Sequence, residues 1–195
     1  IDPTDSLHVI AGCAHGFYVT NTGPSGFSKI TPSNFIANNP QVNDIIFINH
    51  TTAIAVTGGN SIYDAGKGSI WKTTDGGLTW TDISPDEFSN GNKIAIGKLS
   101  TDTVLYVGTG LLDIEKGFLW KSYDIGQTWE RIKNGPTSMA GTSVLGLPIN
   151  DIAVDPRGKD TLYIASGYEN DYAFVLSLDG GESYIYLSSY SEKPY

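Results

Sequence analysis

The sequence predicts an all-β chain assembled from repeated four-stranded antiparallel units, and three observations carry that prediction. An eight-residue turn motif occurs three times, roughly 50 residues apart, a period typical of repeat architectures. Each copy is preceded by three short strand-like runs and followed by a fourth. The inner runs are apolar at every position, as strands buried on both faces must be.

The motif reads Thr73-Thr74-Asp75-Gly76-Gly77-Leu78-Thr79-Trp80, then Ser122-Tyr123-Asp124-Ile125-Gly126-Gln127-Thr128-Trp129, then Ser177-Leu178-Asp179-Gly180-Gly181-Glu182-Ser183-Tyr184. Its slots are hydroxyl, any, Asp, any, Gly, any, hydroxyl, aromatic. A carboxylate and a hydroxyl so spaced accept backbone N–H bonds within a tight turn. The glycine, Gly77, Gly126 or Gly181, supplies a positive φ without steric cost. The closing aromatic, Trp80, Trp129 or Tyr184, carries a large apolar area back towards the core. Every slot is accounted for by holding a hairpin together.

Four units follow in order, at residues 1–30, 42–83, 92–132 and 149–187, with a polar tail at 188–195. The innermost strands are Ile45-Ile46-Phe47-Ile48, Ile94-Ala95-Ile96 and Ile152-Ala153-Val154. The second strands are Ala53-Ile54-Ala55-Val56, Val104-Leu105-Tyr106-Val107 and Leu162-Tyr163-Ile164-Ala165. The third enter the turn motif as Ser69-Ile70-Trp71-Lys72, Phe118-Leu119-Trp120-Lys121 and Ala173-Phe174-Val175-Leu176. The fourth leave it from Trp80, Trp129 and Tyr184. In the first unit, Leu7-His8-Val9-Ile10-Ala11-Gly12 matches Leu162 to Gly167, which puts His8 in the slot of Tyr106 and Tyr163. Its turn is eroded, with Asn21 for Asp, and most of an inner strand is missing ahead of Ile1. Such units are the blades of a β-propeller, here a partial propeller of about four blades.

These motifs resemble the Asp-box (BNR) repeat family of β-propellers. It includes sialidases, xyloglucan-degrading endoglucanases, sortilin-type receptors and photosystem II assembly factors. The resemblance spans nearly the whole chain through its repeats and implies a fold, not one activity. It also implies that the Asp-box turns lie on the blade periphery, away from any active site. No function therefore falls on Asp75, Asp124 or Asp179.

Composition narrows the partners. A formal net charge of −9, from 12 Lys and Arg against 21 Asp and Glu, argues against nucleic acid or an anionic membrane. No apolar run is long enough to span a bilayer, so no membrane insertion is expected. A single cysteine, Cys13, excludes an internal disulfide and a cysteine-rich metal site. His8, His15 and His50 show no ligand spacing, and Asp113, Glu115 and Asp171 form no calcium-loop pattern. No metal or cofactor is expected.

Two sets of residues are candidates for function. Asp44, Lys93 and Asp151 share one phase at the mouth of the innermost strands, following Asn43, Asn92 and Asn150. A carboxylate pair there would suit a glycosidase, which needs its two groups roughly 5–9.5 Å apart. The plainer reading is a solvated rim. The second set lies on the loops between second and third strands: Tyr63 and Asp64, Asp113 and Glu115, then Tyr168, Glu169, Asp171 and Tyr172. Aromatic rings with acids can stack on sugars and bond their hydroxyls. Sialidase chemistry grips a carboxylate with three arginines; the only two here, Arg131 and Arg157, fall on an outermost strand and in a turn.

The expected function is a non-catalytic binding or assembly module of an extracellular or cell-envelope protein, recognising a protein or glycan through its loops. The remaining blades would come from a longer chain or a partner. The alternative is a glycoside hydrolase of the xyloglucanase type, with Asp44 or Asp151 as the catalytic carboxylate.

Overall fold

The computed structural model describes the whole chain apart from residues 15, 33–34, 36–40, 60–67, 100–101, 111–116, 133–146, 169–170 and 191–195. Fifteen strands and no helix occur among the described residues, in two compact units, Ile1–Gly91 and Asn92–Tyr195. Among the described residues no helix is long and apolar enough to cross a membrane.

The first unit holds two sheets. One is three-stranded, with β1 (Val9–Cys13), β2 (Gly16–Thr20) and β3 (Ser28–Ile30) in chain order. The other is a four-stranded meander of β4 (Gln41–Phe47), β5 (Ala53–Gly58), β6 (Ile70–Thr73) and β7 (Thr81–Asp82). The second unit repeats the four-stranded meander twice. Its first copy is β8 (Gly91–Leu99, starting on the unit boundary), β9 (Asp102–Thr109), β10 (Leu119–Ser122) and β11 (Glu130–Arg131). Its second is β12 (Ile149–Val154), β13 (Leu162–Tyr168), β14 (Asp171–Ser177) and β15 (Ile185–Tyr190). All neighbours are antiparallel, and β15 runs three residues into the stretch expected as a tail.

Strand register corrects one alignment. Ser122 pairs with Leu105, and Ser177 with Leu162, so Tyr106 corresponds to Tyr163 and Leu105 to Leu162. In the first sheet Thr20 pairs with Val9. His8 thus stands two residues before the tyrosine slot, which Ile10 fills. The apolar runs allow that slip, because strands buried on both faces show no alternation to set the phase. A second correction concerns the loop expected at 167–172: Tyr168 pairs with Asp171, so most of it is strand.

The three turns are built alike. Thr73 Oγ1, Ser122 Oγ and Ser177 Oγ each donate to the turn Asp at 2.8 Å and accept the N–H of Gly77, Gly126 or Gly181. The Asp carboxylate accepts both the amide and the hydroxyl of Thr79, Thr128 or Ser183, the hydroxyl at 2.6 Å each time. The closing aromatics differ. Trp80 is buried and its Nε1 donates to the Gly77 carbonyl at 3.0 Å. Trp129 and Tyr184 are half-buried, and their polar atoms lack a partner among the described residues.

Each unit has its core between its two sheets. In the first, Phe17 stacks on Trp80 with centroids 4.0 Å apart, amid Ile10, Val19, Ala53, Ala55 and Trp71. In the second, Ala95, Tyr106, Leu119 and Ile132 pack on Ile152, Leu162, Ile164, Ala173 and Val175. Close approach fixes two residue choices. A Cβ on Gly12 would lie 2.3 Å from Val42 Cγ1, and one on Gly108 would lie 2.4 Å from Ile149 Cγ2. These are equivalent places, where the second strand of one sheet meets the first strand of the next.

Two outcomes are expected. Gly108→Val should destabilise the chain by about 1–3 kcal/mol through overpacking, read as a lower Tm. The turns should set its acid limb. Burial would raise the Asp75 and Asp124 carboxyls, but hydrogen bonds from the following hydroxyl and amide outweigh it. They hold Asp75 below the ordinary range and Asp124 at about 2. The Ser183 hydroxyl, then its amide, bring Asp179 to about 2. With folded values below the unfolded one of about 3.9, the stabilisation is complete above about pH 4 and lost as pH falls towards 2. Asp124→Asn should flatten the fall of Tm across that window; an unchanged slope would refute the assignment.

Candidate functional site

The mouth of the innermost strands is shaped by a repeated irregularity. Pairing shifts register between Val42 and Asp44 on β4, and between Ile149 and Asp151 on β12. The residue passed over is an asparagine both times, a β-bulge that re-aims the side chains beside it. Asn43 Nδ2 donates to the Gly91 carbonyl at 2.8 Å, and Asn150 Nδ2 to the Gly167 carbonyl at 2.8 Å. Asn92 Nδ2 donates to the carbonyls of Gly110 at 2.7 Å and Ile149 at 3.2 Å, joining the two sheets of its unit.

The aspartates that follow are partly spent on the same bulge. Asp44 Oδ1 accepts the N–H of Ile45 at 2.9 Å, and Asp151 Oδ1 that of Ile152 at 3.0 Å. Lys93, in the corresponding slot of β8, places Nζ 3.5 Å from Asp151 Oδ1, and the Asp151 side chain is largely exposed. The second unit thus sets a cation, not a second carboxylate, against Asp151 at this slot. An exposed pair of this kind is worth roughly 0–1 kcal/mol.

Of the loop candidates, Tyr63, Asp64, Asp113, Glu115 and Glu169 lie outside the described residues, and the side chains of Tyr168 and Asp171 are likewise not described. Tyr172 is exposed, on β14 and not in a loop. Arg131 lies on β11, and Arg157 is held by Asp155 at 2.8 Å in a turn.

A feature absent from the sequence reading is the outer face of the sheet β12–β15. In the preceding sheet, Tyr106, Leu119 and Ile132 are 0%, 0% and 2% exposed, covered by β12–β15. Their counterparts Tyr163, Phe174 and Leu187 are 37%, 41% and 48% exposed. Ala95 and Ala153 repeat the contrast, and Ile185 and Tyr172 extend the apolar surface. Tyr163 and Phe174 stack on each other with centroids 6.3 Å apart. The matching letters were in the sequence; the one-residue slip in the second strands hid them. A cluster of Asp2, His8 and His50 was also missed, since no linear spacing joins these positions.

No protein-family model matches the chain, and no curated protein matches its sequence. Among solved structures it is similar to the GH74 xyloglucanase of Xanthomonas campestris, with TM-score 0.70 and 17% identity over 96% of this chain and 29% of that one. It is similar to the GH74 enzyme of Niastella koreensis, with TM-score 0.68 and 19% identity over 95% and 28%. An ancestral GH74 enzyme gives 0.69 and 18% over 96% and 25%. The chain spans less than a third of the length of each. At these identities the likeness concerns the fold alone: the chain is a partial β-propeller of about four blades.

The mouth residues should separate by role. Asn92→Leu removes two hydrogen bonds that link sheets and should cost about 1–3 kcal/mol. Asp151→Ala removes an exposed pair and one bulge contact and should cost about 1 kcal/mol or less. Urea unfolding of the two variants measures both. Equal losses would place the structural weight on the acid instead.

Proposed function

We propose that the chain is a non-catalytic assembly module: a segment of an Asp-box β-propeller that holds another protein sheet on the outer face of β12–β15. The carrying observation is the position-by-position match of Tyr163, Phe174 and Leu187 with Tyr106, Leu119 and Ile132. The latter three are the residues with which one blade receives the next, so the former three offer the same reception. Ala165, half-buried, stands where Gly108 admits Ile149, so the first strand of an arriving blade meets a Cβ there and must carry a side chain smaller than Ile149 at that point. The partner is accordingly a four-stranded blade, supplied by a longer chain or by a second protein. The shared hydrogen-bond set of the three turns supports the Asp-box assignment. An extracellular or envelope setting belongs to the same proposal.

A second reading rests on the GH74 neighbours, one of which is a xyloglucanase. There Asp44 or Asp151 would be the catalytic carboxylate, acting on xyloglucan. The lysine opposite Asp151 argues against it, because both hydrolytic geometries need two carboxyl groups.

Sedimentation velocity on the chain tests the first reading. The wild-type chain should self-associate with concentration through an uncovered apolar face. Phe174→Glu with Leu187→Glu should render it monomeric with little change in Tm. Leu119→Glu should instead bury an unpaired charge, at about 3–5 kcal/mol, and lower Tm by about 10 °C. A monodisperse wild-type chain at every concentration would sink the proposal, as would a double variant that melts like Leu119→Glu. Xyloglucan cleavage that Asp151→Asn abolishes would favour the hydrolase.

A further inference from the structure

Asp2, His8 and His50 come from three separate stretches of the first unit. Asp2 lies in the segment ahead of β1, His8 sits just before β1, and His50 is in the turn between β4 and β5. Asp2 Oδ2 is 3.0 Å from His8 Nδ1 and 2.5 Å from His50 Nδ1, and the three atoms all lie within 4.8 Å of one another. The Asp2 carboxylate and His8 are buried, whereas the His50 side chain is mostly exposed.

The surroundings fix the role of each atom. Asp2 Oδ1 accepts the amide of Thr4 at 2.7 Å and its hydroxyl at 2.8 Å, which leaves Oδ2 to the histidines. His8 Nε2 lies 2.9 Å from the Gly76 carbonyl oxygen. A carbonyl can only accept, so Nε2 carries the hydrogen. The His8 and Phe47 rings also meet at a steep angle with centroids 5.2 Å apart, which holds the imidazole plane. A neutral imidazole has one N–H, so His8 Nδ1 then turns a lone pair towards a carboxylate oxygen. Two lone pairs at 3.0 Å repel unless a positive charge stands between them.

An imidazole whose far N–H is committed to a backbone carbonyl is how proteins orient a metal-ligating histidine. A second imidazole aimed by Nδ1 at the same oxygen completes an N2O donor set. We propose that Asp2 Oδ2, His8 Nδ1 and His50 Nδ1 form a site for a first-row divalent cation, Zn2+ foremost. Two imidazoles exclude calcium and magnesium, which take oxygen ligands. Zinc–ligand bonds of about 2.0–2.1 Å in tetrahedral geometry put ligand atoms about 3.3 Å apart. Reaching that needs the His50 ring to swing, withdrawing from Asp2 Oδ2 by under about 1 Å and bringing its Nδ1 towards His8 Nδ1, which an exposed turn residue can do. The fourth position opens to solvent on the His50 side.

The bound cation would tie the first sheet to two turns of the second: His50 lies between β4 and β5, and Gly76 lies in the turn after β6. Its first effect is therefore structural, a cross-link between two blades.

The test uses the whole chain, stripped with EDTA and titrated with ZnCl2 by calorimetry, with melting curves alongside. One Zn2+ per chain should bind, and at a hundredfold excess over Kd the Tm should rise by about 5–10 °C. Co2+ should give the visible absorption of a four- or five-coordinate N2O site. His50→Ala, which alters an exposed side chain, should keep the fold, weaken Zn2+ binding by about tenfold or more and remove the Tm rise. Asp2→Asn should do likewise, or fail to fold, in which case His50→Ala decides alone. A proton on His8 in place of a cation predicts no Zn2+-dependent change in Tm. That result, or undiminished binding by His50→Ala, overturns the site.

Discussion

The fold depends on one contact, made twice among the described residues: a face of one sheet pressed against the backbone of the next sheet's turn. A Cβ on Gly77 would meet Ile10 Cδ1 and Val19 Cγ2 at 2.9 Å, and one on Gly181 would meet Leu119 Cδ2 at 2.6 Å. Both glycines also have positive φ, 93° and 95°. The slot is therefore constrained by conformation and by contact together. The aspartate holds the turn rigid from within, and rigidity is what lets a neighbouring sheet pack on bare backbone. Where Tyr106 reaches this region, its hydroxyl donates to the Lys159 carbonyl at 3.1 Å, and Lys121 Nζ pairs with Glu182 of the turn at 2.7 Å. The turn motif is thus a docking element for the preceding sheet as well as a hairpin.

This explains how much was legible beforehand. A motif whose every atom is used locally leaves a strong imprint on the sequence, and Asp75, Asp124 and Asp179 each hold the expected amides. Four strands to a unit followed from apolar runs set at fixed distances from it. Phase within those runs did not, because Val104 to Val107 are buried on both faces and offer no alternation. Register became certain only through pairing with the turn serines. The bulges at Asn43 and Asn150 were visible as a repeated Asn-Asp pair, yet a residue that leaves the ladder and one that lines a channel have the same polar letters. Asp2 and His50 are joined by chain folding across two sheets, and no local pattern records that.

Charge and burial divide the molecule's surfaces by use. At the strand mouths the polar atoms are committed in a regular way: asparagine amides to carbonyls, aspartate oxygens to the next amide, Lys93 to Asp151. Such commitments hold a rim in shape. The apolar face of β12–β15 has the opposite character, with large side chains exposed and nothing polar alternating among Tyr163, Phe174 and Leu187.

A stack of sheets that are apolar on both faces has no self-terminating member. Solenoids solve this with a capping repeat whose outer face is polar. The face formed by Tyr163, Phe174, Leu187 and Ile185 is not such a cap, since it keeps the residue types its predecessor uses to bind a neighbour. Apolar area of this kind is stabilised only by removal from water, at about 25 cal/mol per Å2. The arrangement follows from the repeat itself: each blade inherits the means to receive another. The reception proposed for this face therefore needs no residue that packing did not already require.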